Sequence, residues 1–308
     1  MNRLFSVQKL DSHIVIQIGN LIMLSIKCPA KFNYKKAVEY GLNNKERSPK
    51  IILSLTTYPK RILSAAKTIN TLLRQTVKPD KLILWLSQKE FPNKENDLPD
   101  DILNLKQFGL EIKWCEYMRS YQKLIPSLKE FPNDIIVTAD DDMMYEPDWL
   151  ESLYNAYLKD NNNIYTHRAG RIKLVNQKIS FVPHRESLRR DYSAPSFFNT
   201  LMGVSGCLYP PNALNNEVLE QKRFENLIPT HDDVWFWATA VLNGTKTSVV
   251  DGYKRNLYQI KEVDDFGLRN INNDDPQSEG VSVKHAFKLI SEEYPQITDI
   301  LQGEIGSD

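Results

Sequence analysis

Short apolar runs alternate with helical patterns between Lys50 and Ala139, and this alternation is the feature that most restricts the fold. Four runs of apolar and β-branched residues predict buried strands, and apolar residues at helical spacing separate them. The predicted strands are Ile51 onward in the run IILSLTTYP, which ends at Pro59, then Lys81–Ser87, Leu110–Trp114 and Ile135–Ala139. The predicted helices are Arg61–Gln75 and Tyr121–Phe131. Such alternation predicts a mostly parallel α/β sheet with helices on both faces.

The pattern is less regular after this region. The apolar positions behind Pro147 predict a helix that ends near Asn161. Its predicted buried face consists of Leu150, Leu153, Tyr154, Tyr157 and Leu158. Residues 166–190 predict a loop-rich region, residues 247–250 a strand, and the polar residues 261–280 a mobile loop or lid.

The composition excludes several classes of protein. The chain has 308 residues, 41% of them hydrophobic, which is enough for a large core. Lys plus Arg and Asp plus Glu number 39 each, so no overall positive field favours nucleic acid as a partner. Cys28, Cys115 and Cys207 are far apart, which excludes a Cys-rich zinc site and indicates a reducing compartment, by default the cytoplasm.

The chain is predicted to have three parts. Residues 1–49 form an N-terminal extension, in which His13–Lys27 predicts a hairpin around Gly19 and Asn20 and a basic stretch follows. Residues 50–260 form the catalytic domain, with halves 50–145 and 146–260, and residues 261–308 form a C-terminal loop and helix. The apolar segment of the extension is too short and interrupted to span a membrane. It packs on the main domain or, as an alternative, touches an anionic membrane face.

Three consecutive aspartates follow the fourth predicted strand, in the stretch IIVTADDDMMYEPDWL. Alternate side chains of an extended segment point the same way, so Asp140 and Asp142 can converge on a hard cation such as Mg²⁺ or Mn²⁺. The alternative is a turn of solvated acids, with Asp142 or Glu146 capping the next helix. Ligands bind at the carboxyl ends of the strands in such sheets, which favours the cation site.

A second acidic pair occurs in THDDVWFWATAVLNG, residues 230–244. The apolar positions predict a helix with one buried stripe, formed by Val234, Trp237, Ala238 and Val241. Gly244 suits the C′ position, and Thr230 with Asp233 matches a capping box. The two acids are then either favoured by the helix dipole alone, or one of them serves as a general base at the edge of a cleft.

Cationic residues occur near two of the predicted strand ends. TTYPKR, residues 56–61, offers hydroxyl groups, an aromatic ring and a guanidinium, and Arg119, Ser120 and Lys123 precede the fourth strand. These side chains can meet a diphosphate, pair with the aspartates, or be solvated. The chain has no glycine-rich phosphate-binding motif, which disfavours kinases and NAD enzymes.

These motifs, in this order over residues 50–255, resemble the GT-A glycosyltransferases of family 2. The resemblance implies that nucleotide-sugar is bound by Thr56, Tyr58, Arg61, Lys123, Asp140 and Asp141. It implies metal binding by Asp142 and Asp140, with His285 as a further ligand, although a surface helical histidine is the favoured alternative there. It implies acceptor binding by Gly203, Gly206 and Trp235. Asp233 or Asp232 would be the base, and Asp232 stands where the family usually has Glu.

The resemblance therefore implies a metal-dependent, inverting glycosyltransferase of the hexosyltransferase type, with Mn²⁺ or Mg²⁺ as cofactor. The donor would be a nucleotide-diphosphate sugar, with UDP favoured, and the acceptor a saccharide or lipid-linked saccharide. The process would be synthesis of a bacterial surface polysaccharide, capsule or lipopolysaccharide, in the cytoplasm or at the inner face of its membrane. The alternatives are a nucleotidyl or phosphoryl transferase and a non-catalytic carbohydrate-binding protein.

Overall fold

A computed structural model describes residues 5–10, 13–18, 21–27, 40–182, 193–250, 258–260, 271–272 and 280–306. The chain divides into two compact units, Met1–Ala37 and Val38–Asp308. In the smaller unit, three antiparallel strands follow in order: β1 (Phe5–Leu10), β2 (His13–Ile18) and β3 (Leu21–Lys27). The predicted hairpin is thus present as β2 and β3, and β1 is an additional strand.

The division lies earlier in the chain than the predicted boundary at residue 49. The amide of Gly41 donates to the carbonyl of Phe108, and the amide of Asn43 donates to that of Pro79, each at 2.8 Å. These backbone bonds attach residues 40–49 to the larger unit.

A seven-stranded sheet forms the centre of the larger unit. The strands of this unit are β4 (Ile51–Thr56), β5 (Lys81–Ser87), β6 (Leu110–Cys115), β7 (Ile135–Thr138), β8 (Met143–Met144), β9 (Ile164–Thr166), β10 (Ala169–Val175), β11 (Lys178–Phe181), β12 (Asn199–Leu201), β13 (Cys207–Tyr209), β14 (Thr247–Val249) and β15 (Tyr258–Gln259). The large sheet has the order β14-β9-β13-β7-β4-β5-β6, and β13 alone runs antiparallel to its neighbours. The mostly parallel α/β prediction is confirmed.

Helices cover both faces of this sheet. They are α1 (Ile62–Leu72), α2 (Asp100–Leu103), α3 (Ile125–Glu130), α4 (Trp149–Lys159), α5 (Gln221–Leu227), α6 (Asp232–Leu242), α7 (Val283–Glu293) and α8 (Gln296–Ile305). On β5, Leu82, Leu84 and Leu86 belong to the same apolar cluster as residues of α1, α2 and α4, whereas Ile83 and Trp85 belong to the cluster that contains residues of α6, α7 and α8. This alternation buries both faces of the strand, which explains its continuous apolar sequence.

The predicted helix Tyr121–Phe131 is divided into two shorter elements. A 3₁₀ turn, Arg119–Lys123, ends at Leu124, and α3 then begins with Pro126 in its first turn. Proline has no amide hydrogen and clashes with the preceding turn, so it is accepted at the start of a helix and not in its interior. At this break, the carbonyl of Lys123 accepts a hydrogen bond from Ser54 Oγ at 2.6 Å, which holds the backbone of Lys123 against β4.

Residues 166–190 contain strands rather than the predicted loops. β10 and β11 form an antiparallel hairpin. Asn176 and Gln177 connect them with φ angles of 50° and 61°, as a type I′ turn requires. Gln is not a typical residue of this turn, which explains why the sequence pattern does not indicate it.

Two further predictions need correction. Leu158 of α4 is 62% exposed, whereas Trp149, outside the predicted face, is buried. The C-terminal part contains two helices, α7 and α8, whose apolar residues belong to the same core as α6.

The predicted lid, residues 261–280, lies outside the described residues except for 271–272 and 280. None of the described helices has the length and apolar character needed to cross a membrane.

Gly206 and Gly303 provide a matched test of this packing. Gly206 has φ +81°, and an added Cβ would lie 2.2 Å from the Trp149 ring, whereas a Cβ on the exposed helical Gly303 would meet nothing within 4 Å. Backbone strain and overpacking predict that Gly206→Ala lowers the free energy of unfolding by about 2 kcal/mol or more. Gly303→Ala should raise it by roughly 0.5–1 kcal/mol. Urea denaturation followed by circular dichroism measures both, and equal effects would contradict the packing described.

Candidate functional site

A cleft of about 600 Å³ opens at the carboxyl ends of β4 and β7. The 3₁₀ turn Arg119–Lys123 and helix α6 both begin at this cleft. This volume suits a small-molecule ligand. The predicted site residues that line it are Thr56, Tyr58, Arg61, Lys123, Asp140, Asp141, Asp232 and Asp233. Residues separated by up to 177 positions in the sequence thus meet in one cleft, at the strand ends where ligands bind in such sheets.

Arg61 is paired with two of the three consecutive aspartates. Its two terminal nitrogens lie 2.9 Å from Asp141 Oδ1 and 3.2 Å from Asp142 Oδ2. Thr57 Oγ1 donates a further hydrogen bond to Asp141 Oδ2 at 2.5 Å. Burial nevertheless raises the pKa of Asp141 to about 6, and it raises the pKa of Asp142 as well. The guanidinium is therefore the counter-charge that makes burial of these two carboxylates tolerable.

Asp142 is not among the residues that line the cleft. Gln259 Nε2 donates to its Oδ2 at 3.2 Å, and the amide of Ile260 donates to its carbonyl at 2.7 Å. The side chains of Asp140 and Asp142 are thus paired with different cations.

The predicted metal ligands have separate surroundings in the described residues, since Asp140 pairs with Lys123 and Asp142 pairs with Arg61. Across the described ranges, no group of three His, Cys, Asp or Glu side chains is placed to hold a metal ion. His285 is exposed near the start of α7 and is not among the residues that line the cleft. Dependence on Mn²⁺ or Mg²⁺ stays a prediction.

Lys123 lies between two of the carboxylates that line the cleft, Asp140 and Asp232. Its ammonium nitrogen lies 2.8 Å from Asp140 Oδ1 and 2.9 Å from Asp232 Oδ2, and the residue is 5% exposed. Burial by itself would lower the pKa of Lys123, but attraction to Asp140, Asp232 and Asp233 outweighs it and raises the pKa well above its usual value. Lys123 is therefore charged at any physiological pH.

The two acids of α6 differ in their partners. Asp232 is held by Lys123 and by Ser120 Oγ, which donates to its Oδ1 at 2.8 Å. Asp233 Oδ2 accepts the amide hydrogen of Gly203 at 2.8 Å, while its Oδ1 receives no hydrogen bond from any described residue. Burial raises the pKa of Asp233 to about 7, although Lys123 acts in the opposite direction. Asp233 thus has an unoccupied oxygen and a pKa near neutrality, the two properties of a general base.

The local prediction for the start of α6 is wrong. The N-cap is His231, with no side-chain cap, and the Thr230 hydroxyl has no partner in the part of the chain that the structure describes. Asp233 bonds to Gly203 rather than to its own helix, because the loop before β13 supplies a better-placed amide. The helix is also buried on nearly all sides rather than along one stripe.

Two of the three predicted acceptor residues do not face the cleft. Trp235 is fully buried, with its ring against Phe224 and Tyr294, so it is part of the core. Gly206 packs against the Trp149 ring. Gly203 does reach the site, since an added Cβ would lie 2.6 Å from Lys123 Nζ and 2.7 Å from Asp233 Oδ1.

Other cleft residues are absent from the predicted site. Glu90 follows β5, and its Oε2 accepts a hydrogen bond from Ser87 Oγ at 2.9 Å. The strand-end rule that indicates Thr56 and Asp140 applies equally to Glu90. Arg119 lines the cleft with a left-handed φ of 53°, a strained conformation that is frequent at functional sites and has no sequence signal here.

The fold and the cleft define an α/β protein with a ligand site at the carboxyl edge of a mostly parallel sheet. No protein-family model matches the chain, and no curated protein matches it. Among solved structures, the crystal structure of S. aureus TarS 1-349 aligns with 80% of this chain and 73% of that chain, at 14% identity and a TM-score of 0.44. An overlap at this level does not establish a common function.

The raised pKa of Asp233 predicts a measurable cost in stability. The pKa is about 7 in the folded protein and about 4 in an unfolded chain, so ionisation disfavours the folded state as pH rises between these values. Asp233→Asn remains neutral, and we expect it to be more stable than the wild type by roughly 1–3 kcal/mol at about pH 8. This advantage should disappear toward about pH 4. Urea denaturation across this range measures it, and a difference that is independent of pH would contradict the assignment.

Proposed function

We propose that this protein is a glycosyltransferase, which moves a sugar from a nucleotide-diphosphate donor to a hydroxyl group of a saccharide. Asp233 is the observation that carries this proposal. A buried carboxylate with one unoccupied oxygen, a pKa of about 7 and a rigid position at the start of α6 is suited to remove a proton from an acceptor hydroxyl.

The cations of the cleft support the choice of donor. Lys60, Arg61, Arg119 and Lys123 all line it, and Arg and Lys are the usual partners of diphosphate oxygens. Tyr58 adds an aromatic face on the same wall. Negative charge builds up on a diphosphate as it leaves the sugar, and such fixed cations stabilise that charge.

In the proposed reaction, the hydroxyl proton of the acceptor passes to Asp233 Oδ1. The acceptor oxygen forms a bond to the anomeric carbon as the bond from that carbon to the phosphate oxygen breaks, and the nucleoside diphosphate leaves with the electron pair. One displacement of this kind inverts the anomeric configuration. Gly203 holds Asp233 through its amide, and Ser120 with Lys123 holds Asp232, so Asp233 rather than Asp232 is the base.

The finer features of the proposal come from the sequence motifs. They are a UDP-sugar donor, a saccharide or lipid-linked saccharide acceptor, and a role in surface polysaccharide synthesis at the inner face of the cytoplasmic membrane. A divalent cation would supply additional positive charge to the diphosphate. Asp140 and Asp142, the predicted ligands of this cation, are paired with separate protein cations.

The products of turnover test the proposed class. The purified chain is incubated with a panel of nucleotide sugars and saccharide acceptors, and released nucleotides and glycosylated acceptors are identified by mass spectrometry. We expect a nucleoside diphosphate and a glycosylated acceptor in equal amounts. Release of pyrophosphate would indicate a nucleotidyl transferase instead, and nucleotide-sugar binding without turnover would indicate a binding protein.

Isosteric substitutions separate the two acids of α6. Asp233→Asn removes the proton acceptor, so we expect kcat to fall by about 10²- to 10⁴-fold. Asp232→Asn keeps a hydrogen-bond acceptor for Ser120 and leaves the base in place, so the loss should be about tenfold or less. Steady-state kinetics on folded variants measures both. The reverse order of effects would assign the base to Asp232.

The pH dependence gives a separate check on the base. Asp233 must be ionised to accept a proton, so kcat/KM should increase with pH and reach half of its plateau near the pKa of about 7. The residual activity of Asp233→Asn should lack this increase. A wild-type profile that is flat across neutrality would contradict the role of Asp233.

A further inference from the structure

Each of the three consecutive aspartates is paired with a cationic side chain of the chain itself. Arg61 pairs with Asp141 and Asp142, and Lys123 pairs with Asp140. The side chains of Asp141 and Asp142 are each only 8% exposed. A divalent cation that bound Asp140 and Asp142 would have to displace both protein cations, one of them from the largely buried Asp142, which is costly.

Lys123 has the geometry of a fixed binding group for an anion. An ammonium has three N–H donors, and its partners in the described part of the chain are two carboxylates, Asp140 and Asp232. The residue lines the cleft, so the third donor can meet a ligand there. The backbone of Lys123 is anchored on β4 through Ser54, which limits its movement.

The position of this ammonium between two walls of the cleft is the decisive feature. Asp140 belongs to the edge of the sheet, beside Asp141, which pairs with Arg61, and Asp232 belongs to α6, next to Asp233. An ammonium between Asp140 and Asp232 is close both to the side of the cleft with Arg61, where a diphosphate fits, and to the proposed base, Asp233. Positive charge at that junction acts where the bond between sugar and phosphate breaks.

We propose that Lys123 supplies the positive charge for the departing diphosphate, so that donor binding and sugar transfer proceed without a divalent cation. This inference rests on the proposed function. It assigns to one side chain the work that a metal ion would otherwise do, and it accounts for a buried lysine shared among carboxylates from two elements.

Nucleotide binding tests this directly on the full chain. UDP and GDP are titrated by calorimetry into metal-free protein in excess EDTA, and again with MnCl₂ in place of EDTA. We expect the affinity of the preferred nucleotide to agree between the two conditions to within about twofold.

The lysine is tested by Lys123→Met, with Lys106→Met as the matched control. Lys106 is likewise ion-paired at 2.9 Å, with Glu95, but lies outside the cleft. Loss of a charge-assisted hydrogen bond should weaken nucleotide binding by about 10- to 100-fold in Lys123→Met and leave the control unchanged. Thermal melting checks the fold. If Lys123→Met is unfolded, Lys123→Arg, which keeps the charge, is expected to retain binding in EDTA.

Each outcome has a definite meaning. Binding and transfer that disappear in EDTA and return with Mn²⁺ would overturn this inference and leave the proposed function intact. Equal affinity of the wild type and a folded Lys123→Met would also overturn it. Absence of nucleotide binding in both conditions would overturn the proposed donor class together with this inference.

Discussion

The pairing of Lys123 with two carboxylates is the interaction on which the arrangement of the larger unit depends most. Asp140 follows β7 and Asp232 begins α6, and both contact the same buried ammonium. Removing one partner from a buried ion pair leaves an uncompensated charge, which costs about 3–5 kcal/mol. The junction of sheet, 3₁₀ turn and helix is thereby specified by charge as well as by apolar packing. Arg61 has the corresponding role for the other two aspartates.

Much of the sheet could be predicted from sequence, because strands buried on both faces have nearly continuous apolar runs. β5 has the predicted bounds, Lys81–Ser87, β6 and β7 each differ from prediction by one residue, and β4 ends at Thr56, before the predicted end at Pro59. The rule that ligands bind at the carboxyl ends of strands then predicts that Thr56 and Asp140 lie at one edge, and both line the cleft. The general location of the cleft therefore follows from local patterns and topology.

The partners of the charged side chains could not be predicted in the same way. Arg61 and Asp141 are eighty positions apart, and whether a carboxylate meets a metal or a guanidinium depends on the folded geometry. At the start of α6, the Thr230–Asp233 pattern predicts a local cap, but Gly203 provides a competing amide from a distant loop. Trp235 shows the same limit. An amphipathic pattern does not reveal that α7 and α8 cover a second side of the helix.

The direction of β13 has a consequence for how this cleft can change. Because β13 runs opposite to its neighbours, the chain enters the sheet at the edge where the parallel strands leave it. The segment Gly203–Ser205 therefore reaches Asp233 from the entry of a strand, whereas Arg61 and Asp140 lie at strand exits. The two walls are built by separate connections. Insertions before β13 can reshape the wall beside Asp233 while the wall around Arg61 keeps its structure.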